Sequence, residues 1–370
     1  MSSRNELIQV VSSIRFGGPE RYALDISRHF SVSGWKVTAF TRDAKAVDSV
    51  FRDYRIRLRH APLGGAFDIP SALSLSRMMR LMPQSRGVVH VHHIRDAFMA
   101  LLARKIAKRK DVRIILTVHS IRKGRDNRLS RRIFRNLDAI IFVSQTVASR
   151  FLSTWSEGLS PIPPDRIHIL HNSLYLPDFS GPVPPPEKGP VIAMYHGTIA
   201  PGKGLEYLID ALPRLKPLRL RLRIAGNGDP DYVDSLRRRA QARNVMEMID
   251  WRKHPINSIS LINEVHIGVL PTVNEEPFGL SNTEYMAAGR PQICTARGAQ
   301  QEYLTDGREA FIVLPGDTTS IADALIRLTS DPQLRLRMGR EAHKSFARSL
   351  DWQRFSSQLA EIYLPTPIND

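Results

Sequence analysis

The amino-acid sequence predicts an α/β protein of two Rossmann-like domains facing each other across a cleft. Three observations carry this expectation. Short β-branched apolar runs alternate with helix-length segments along the whole chain, a proline-rich stretch interrupts them near the middle, and each half opens on a strand that runs into a glycine-rich turn. Strands separated by helical lengths imply βαβ units and parallel sheets. With 370 residues, 42% of them hydrophobic, the chain exceeds what one core ordinarily holds.

In the first half the expected strands are 7–12, 36–41, 87–92, 112–118, 139–144 and 167–171. The segment 19–33 puts Ala23, Ile26 and Phe30 on one helical face, and Gly34 ends it. Six prolines and two glycines within 177–190 cannot continue a helix or a central strand, so the domain boundary falls there. The alternation then restarts with strands at 191–197, 218–226, 265–270, 290–295 and 310–314, and helices at 205–215 and 232–242. The tail is helical in pattern over 317–328 and again over 332–364. The resulting division is a first domain 1–178, a linker 179–190, a second domain 191–350, and a helix in 351–370 packing back toward the first domain.

A single cysteine, Cys294, rules out an internal disulfide or a thiolate metal cluster and suits a reducing compartment. No apolar run reaches membrane-spanning length, and 7–11 is too short for a signal peptide. The net charge of +17 is concentrated: thirteen basic residues lie between Arg104 and Arg135, opposed only by Asp111 and Asp126. Such a field attracts anionic lipid, nucleic acid or a diphosphate, or simply forms a solvated face. The segment 71–82 adds an amphipathic pattern whose apolar stripe is either core or a membrane face.

Three stretches carry chemistry. The first strand ends in a turn holding Gly17 and Gly18, with Pro19 and Glu20 opening a helix; this is either an anion site at the free N–H groups or a plain βα turn in which Glu20 favours the helix N-terminus. The second domain opens the same way, with Gly197, Thr198, Gly202, Lys203 and Gly204, a diphosphate cradle in outline but not a Walker loop. The third is the segment 274–291, in which Glu276 and Glu284 stand in E-x7-E spacing around Pro-Phe-Gly-Leu. A helix starting at Ser281 would give Ser281-x-x-Glu284 the form of a capping box, an explanation that Glu276 lacks. Asp229-Pro-Asp231 has a metal-site form but sits where acids cap a helix, and His90, His92 and His93 lack the carboxylate pattern of a metal site.

The sequence resembles the family-4 retaining glycosyltransferases of the GT-B fold over nearly its whole length. The resemblance rests on Gly17-Gly18-x-Glu20-Arg21, Thr117-x-His119, Gly197 through Lys203-Gly204, and Glu276-Pro-Phe-Gly-Leu-x-x-x-Glu284. It extends through Ala287-x-Gly-x-Pro291 and Gly298-x-x-x-Glu302. It implies that the first domain binds the acceptor and the second a nucleotide-sugar donor. Gly17 and Gly18 would meet the donor diphosphate through backbone N–H, and Lys203 would pair with it. Glu276 and the amides of Phe278, Gly279 and Leu280 would hold the sugar, Glu284 the ribose, and His119 would lie beside the reacting carbon. Glu276 and His119 are then the expected catalytic residues; Glu20, Arg21 and His92 are candidates for the acceptor. The arginine that usually follows the glycine at 197 is replaced here by Thr198, which removes one cation from the clamp.

The resemblance implies a metal-independent hexosyltransferase without a resident cofactor. It would act on a glycan or lipid-linked acceptor in polysaccharide or lipopolysaccharide synthesis, at the inner face of the cytoplasmic membrane and without nucleic acid as a partner. The rivals are a sugar-nucleotide epimerase of the same fold and a non-catalytic basic protein binding membrane or nucleic acid. Against the last, no zinc-finger spacing or aromatic-interleaved basic strand occurs.

Overall fold

The computed structural model describes residues 4–156, 158–253 and 258–365. The chain forms two compact units: one from the residues up to Tyr175 together with those from Trp352 onward, the other from Leu176–Asp351.

The first unit holds β1 (Glu6–Val11), β2 (Lys36–Thr41), β3 (Arg57–His60), β4 (Gly87–Val91), β5 (Arg113–Val118), β6 (Ala139–Phe142) and β7 (Ile167–Ile169). They pair in the order β3-β2-β1-β4-β5-β6-β7, every pair parallel. β1 and β4 are buried along their whole length, as strands covered by helices on both faces must be. The helix Gly18–Val32 buries Tyr22, Ile26 and Phe30 over this sheet. The helix Trp352–Tyr363 adds Phe355, Leu359, Ile362 and Tyr363 to the same cluster, against Leu7, Val88 and Ile141.

The second unit holds β8 (Val191–His196), β9 (Leu220–Ala225), β10 (Ile249–Arg252), β11 (Ile267–Leu270), β12 (Gln292–Thr295) and β13 (Ala310–Val313), in the order β10-β9-β8-β11-β12-β13, again all parallel. Each sheet reverses its order once, between β1 and β4 and between β8 and β11. Ligands of such sheets sit beyond the carboxyl ends of the strands at that reversal.

Two strands were not foreseen, β3 and β10. Both are sheet edges with mixed charged sequences, Arg-Leu-Arg-His and Ile-Asp-Trp-Arg, and so lack an apolar run. The helical tail expected over 332–364 is two helices, Pro332–Ser349 and Trp352–Tyr363. The first buries Leu334, Met338 and Ala342 in its own unit and the second fills the other core, so each apolar face follows a different unit. The amphipathic stretch at 71–82 is the helix Ile69–Leu81, whose Leu75 and Met79 are core while Leu73 and Leu81 stay exposed.

Candidate functional site

In the second unit the loop after β8 is shaped by glycines. Gly204 has φ +77°, and a Cβ there would lie 1.9 Å from the Pro271 carbonyl oxygen. This close approach sets the loop against the exit of β11, where Val273 N–H donates to the Gly202 carbonyl at 2.8 Å. Lys203 is thereby held beside Glu276, and its Nζ donates to Glu276 Oε2 at 2.7 Å. Glu276 is fixed through its backbone as well. Its N–H donates to the Arg297 carbonyl at 2.7 Å, and Ala299 N–H donates to its own carbonyl at 3.0 Å. Gly298 allows this stitching, since a Cβ there would fall 2.2 Å from the Glu276 carbonyl oxygen.

The helix after this loop is Leu280–Ala287, with Gly279 as N-cap at φ +90°. Ser281 is therefore inside the helix and does not cap it. Its hydroxyl donates to the His196 carbonyl at 3.1 Å, which ties the helix to the end of β8. No capping box forms, and the N–H groups of Gly279 and Leu280 have no intrahelical acceptor. Phe278 is buried against Tyr303, whose hydroxyl donates to the Phe278 carbonyl. Glu284 is 9% exposed; its carboxylate accepts from Ser258 Oγ and lies 2.5 Å from His196 Nε2. Thr198 is exposed, and its carbonyl accepts from the Tyr195 hydroxyl at 2.6 Å. Gly197, Thr198, Lys203, Glu276, Phe278, Gly279, Leu280 and Glu284 thus all gather at the carboxyl ends of β8 and β11, where the second sheet reverses.

In the first unit the turn after β1 is closed by Glu20, whose Oε2 accepts from Gly17 N–H at 2.9 Å. Glu20 is buried, which raises its pKa. Gly18 is the first helical residue. Arg21 pairs with Asp25 at 3.0 Å, and His92 is buried between Gln9 and His119. The side chains considered for an acceptor are therefore engaged within their own unit. His119 follows β5, is partly exposed, and lies 3.1 Å from His92 through its Nε2. Burial, with a smaller push from His93, lowers the His119 pKa to about 3, so the ring is neutral.

Sequence reasoning did not single out Gln9, Ser12, Tyr22, Arg95 or Asp96. Ser12 donates to Asp96 Oδ2 at 2.6 Å and accepts from Arg95 Nη2 at 3.1 Å, beside the reversal of the first sheet. These residues come from elements 84 positions apart and carry no local pattern. Burial lifts the Asp96 carboxyl to about 6, above its ordinary range.

His90 and His92 are hydrogen-bonded inside the unit. His90 meets Tyr363 and Thr117, both at 2.7 Å, and His92 meets Gln9 at 2.7 Å. Asp229 caps the helix Pro230–Ala242, accepting from Asp231 N–H at 3.1 Å and Tyr232 N–H at 3.2 Å. Among the described residues, Asp43 after β2, Asp48 of the helix Lys45–Asp53 and His60 at the end of β3 have the composition and spacing to hold a cation. No helix among the described residues is long and apolar enough to cross a membrane.

Two parallel sheets, each with a glycine turn at its reversal, and a lysine–glutamate pair beside an open helix N-terminus define a doubly wound α/β protein of two units with a candidate anion-binding site at the reversal of the second sheet. The family described as "Glycosyl transferases group 1" matches residues 180–345, and "Glycosyltransferase Family 4" matches residues 16–176. The chain belongs to glycosyltransferase family 4 and is a glycosyltransferase of the GT-B fold. Glycogen synthase of Mycobacterium tuberculosis is 27% identical over 292 residues, covering 75% of this chain and 68% of that protein. D-inositol 3-phosphate glycosyltransferase of Xylanimonas cellulosilytica is 24% identical over 393 residues, covering 94% and 91%. The structure of Anabaena HepE in complex with UDP and glucose superposes with a TM-score of 0.82 at 16% identity, covering 98% of this chain and all of that one.

Proposed function

We propose that this glycosyltransferase moves a hexosyl group from a UDP- or GDP-sugar to a glycan or lipid-linked acceptor, with retention at the anomeric carbon. The observation that carries the reading is the Lys203–Glu276 pair beside the helix N-terminus at Gly279 and Leu280, whose N–H groups have no intrahelical acceptor. A cation and a helix N-terminus suit a diphosphate leaving as an anion, and a fixed carboxylate suits sugar hydroxyls. In the reaction the bond from the anomeric carbon to the donor phosphate oxygen breaks and a bond to the acceptor oxygen forms on the same face. The acceptor proton passes to the departing phosphate. Lys203 stabilises the charge that develops on that phosphate, and no metal is called on.

Arg297 supplies the cation missing at Thr198. It is exposed at the end of β12, makes no ion pair among the described residues, and its carbonyl already holds the Glu276 backbone. The acceptor is reached at an anionic membrane surface in cell-envelope glycan assembly. That reading is supported by the exposed Arg122, Lys123, Arg125, Arg128, Arg132 and Arg135, which make no ion pair among the described residues, around the exposed Leu129. Arg131 does not belong to this group, because Asp126 holds it at 2.5 Å.

The test is a panel of UDP- and GDP-hexoses scored by nucleotide release, with the anomer of the product read by NMR and EDTA in a parallel arm. Release with one donor class, an unchanged anomeric configuration and indifference to EDTA are expected. Inversion, or loss with EDTA that Mn²⁺ restores, would overturn the mechanism.

A further inference from the structure

His196, the last residue of β8, is 1% exposed and meets two side chains of the helix Leu280–Ala287. Its Nδ1 lies 2.8 Å from the Tyr285 hydroxyl and its Nε2 lies 2.5 Å from Glu284 Oε2. The hydrogens along this line can be counted. The Tyr285 oxygen is 2.6 Å from the Met194 carbonyl oxygen, which has no hydrogen to give, so the one hydroxyl hydrogen of Tyr285 points there. His196 Nδ1 therefore donates to the Tyr285 oxygen. The contact with Glu284 needs a hydrogen of its own, carried either by Nε2 or by the carboxyl group. Ser258 donates to the other oxygen, Oε1, and a hydrogen bond received in this way favours the charged carboxylate. With the hydrogen on Nε2, both ring N–H groups meet an acceptor and both carboxylate oxygens meet a donor. That arrangement is an imidazolium beside a carboxylate.

We propose that His196 is the counter-cation of Glu284, a buried imidazolium that orients this carboxylate and cancels its charge where a nucleoside diphosphate binds. The inference rests on the reading of the chain as a nucleotide-sugar transferase and adds a residue to the donor site of the second unit. Glu276 and Glu284 both lie at the carboxyl ends of β8 and β11, and an uncompensated carboxylate there repels a polyanionic ligand. Lys203 Nζ meets Glu276 at 2.7 Å. With His196 on Glu284, β8 and the turn after it supply one cation for each glutamate. Glu284 remains an acceptor for a ligand hydroxyl, because one N–H and one O–H leave lone pairs on its oxygens open. His196 acts through Glu284 and is a positioning residue.

The experiment uses the full chain labelled with ¹⁵N-histidine. Nitrogen–proton correlation spectra at about pH 7, where an unperturbed histidine is mostly neutral, should show hydrogens on both ring nitrogens of His196, assigned by the loss of its signals in His196→Gln. One bare ring nitrogen overturns the proposal. Calorimetry with UDP and GDP then reads the charge. His196→Gln keeps hydrogen-bonding groups without the cation and should lose on the order of tenfold in nucleoside-diphosphate affinity, the effect of one charge near a protein surface. Its affinity for the uncharged nucleoside, uridine or guanosine, should change little. Adding Glu284→Gln to His196→Gln should restore most of the loss, whereas Glu284→Gln alone, in which the ring is free to become neutral, should not tighten binding. Equal losses for nucleoside and nucleoside diphosphate, without rescue, would make the pair structural and overturn its role. Should His196→Gln fail to fold, Glu284→Gln decides: the ring of His196 should lose its second hydrogen, and a set of histidine signals unchanged from wild type overturns the proposal. An imidazolium at His196 in a chain that binds neither UDP nor GDP would overturn the nucleotide-donor reading and leave the ion pair standing.

Discussion

Lys203 Nζ and Glu276 Oε2 are 2.7 Å apart, so the cation expected at the donor phosphates and the carboxylate expected at the donor sugar hold each other. The two side chains are 34% and 20% exposed. A pair this wet contributes about 0–1 kcal/mol, which a doubly charged diphosphate readily displaces. The expected outcome for Lys203→Ala is loss of roughly tenfold or more in nucleoside-diphosphate affinity by calorimetry. Glu276→Gln should bind the same nucleotide at least as tightly as wild type, because Lys203 no longer has a rival partner. Equal binding in Lys203→Ala would remove the lysine from the site.

Turnover should respond to Glu276 in the opposite sense. Glu276→Ala is expected to cost about 2–4 kcal/mol in the chemical step, since the backbone bonds to Arg297 and Ala299 persist and the fold survives. Steady-state kinetics on a variant with native circular dichroism gives the answer; near wild-type kcat would rule out a role for this carboxylate.

Arg297→Ala should weaken nucleoside-diphosphate binding, and Thr198→Arg should rescue it by returning a cation to the turn after β8. The residues stand two strands apart, at the ends of β12 and β8. Rescue requires that both act on the same ligand. Calorimetry on the single and double variants decides, and additive effects without rescue would show that Arg297 serves something else.

The buried imidazoles predict how the first unit meets acid. His90 and His119 are both lowered to about 3 by burial, from an ordinary value of 6.5. A depressed histidine adds stability above its unfolded pKa, and that stability is lost as pH falls toward the folded value. Between pH 6.5 and pH 5 each ring should cost about 2 kcal/mol. His90→Gln keeps hydrogen-bonding groups near Thr117 and Tyr363 and removes the titration. Denaturant melts at the two pH values should therefore show a smaller acid loss in this variant than in wild type. An identical loss would mean that His90 is not kept neutral by the fold.

On the basic surface, Arg122, Lys123, Arg125, Arg128 and Arg132 changed together to Gln should abolish salt-sensitive binding to anionic vesicles, at about 1 kcal/mol per residue. Arg131→Gln alone should have little effect, since that guanidinium is already held by Asp126. Co-sedimentation that ignores lipid charge would take the membrane out of the proposal.

Most of the fold could be read from the sequence because interior parallel strands are mostly apolar, as Leu7, Ile8, Val10 and Val11 of β1 are on either side of Gln9. The charged edges β3 and β10 could not. The second-unit site was legible because its residues lie in short motifs after strands, with glycines at 204, 279 and 298 where backbones touch or turn left-handed. The setting of Glu284 was not legible, since Ser258 and His196 come from distant segments and displace the capping role that local spacing suggested. The same holds for Gln9 and Tyr22, ordinary residues of a strand and a helix until β1, β4 and β5 are aligned.

The first unit is discontinuous, built from the residues up to Tyr175 and those from Trp352 onward. During synthesis on the ribosome its sheet is complete long before Phe355, Leu359 and Tyr363 emerge to cover Leu7, Val88 and Ile141. Until then part of that apolar face, beyond what Tyr22, Ile26 and Phe30 cover, stays open while the whole second unit is made, and the second unit, continuous in sequence, can close first. The nascent chain thus has an order of maturation opposite to its order of translation. A stalled or prematurely terminated product would carry a finished second unit and a first unit that exposes its core to chaperones and proteases.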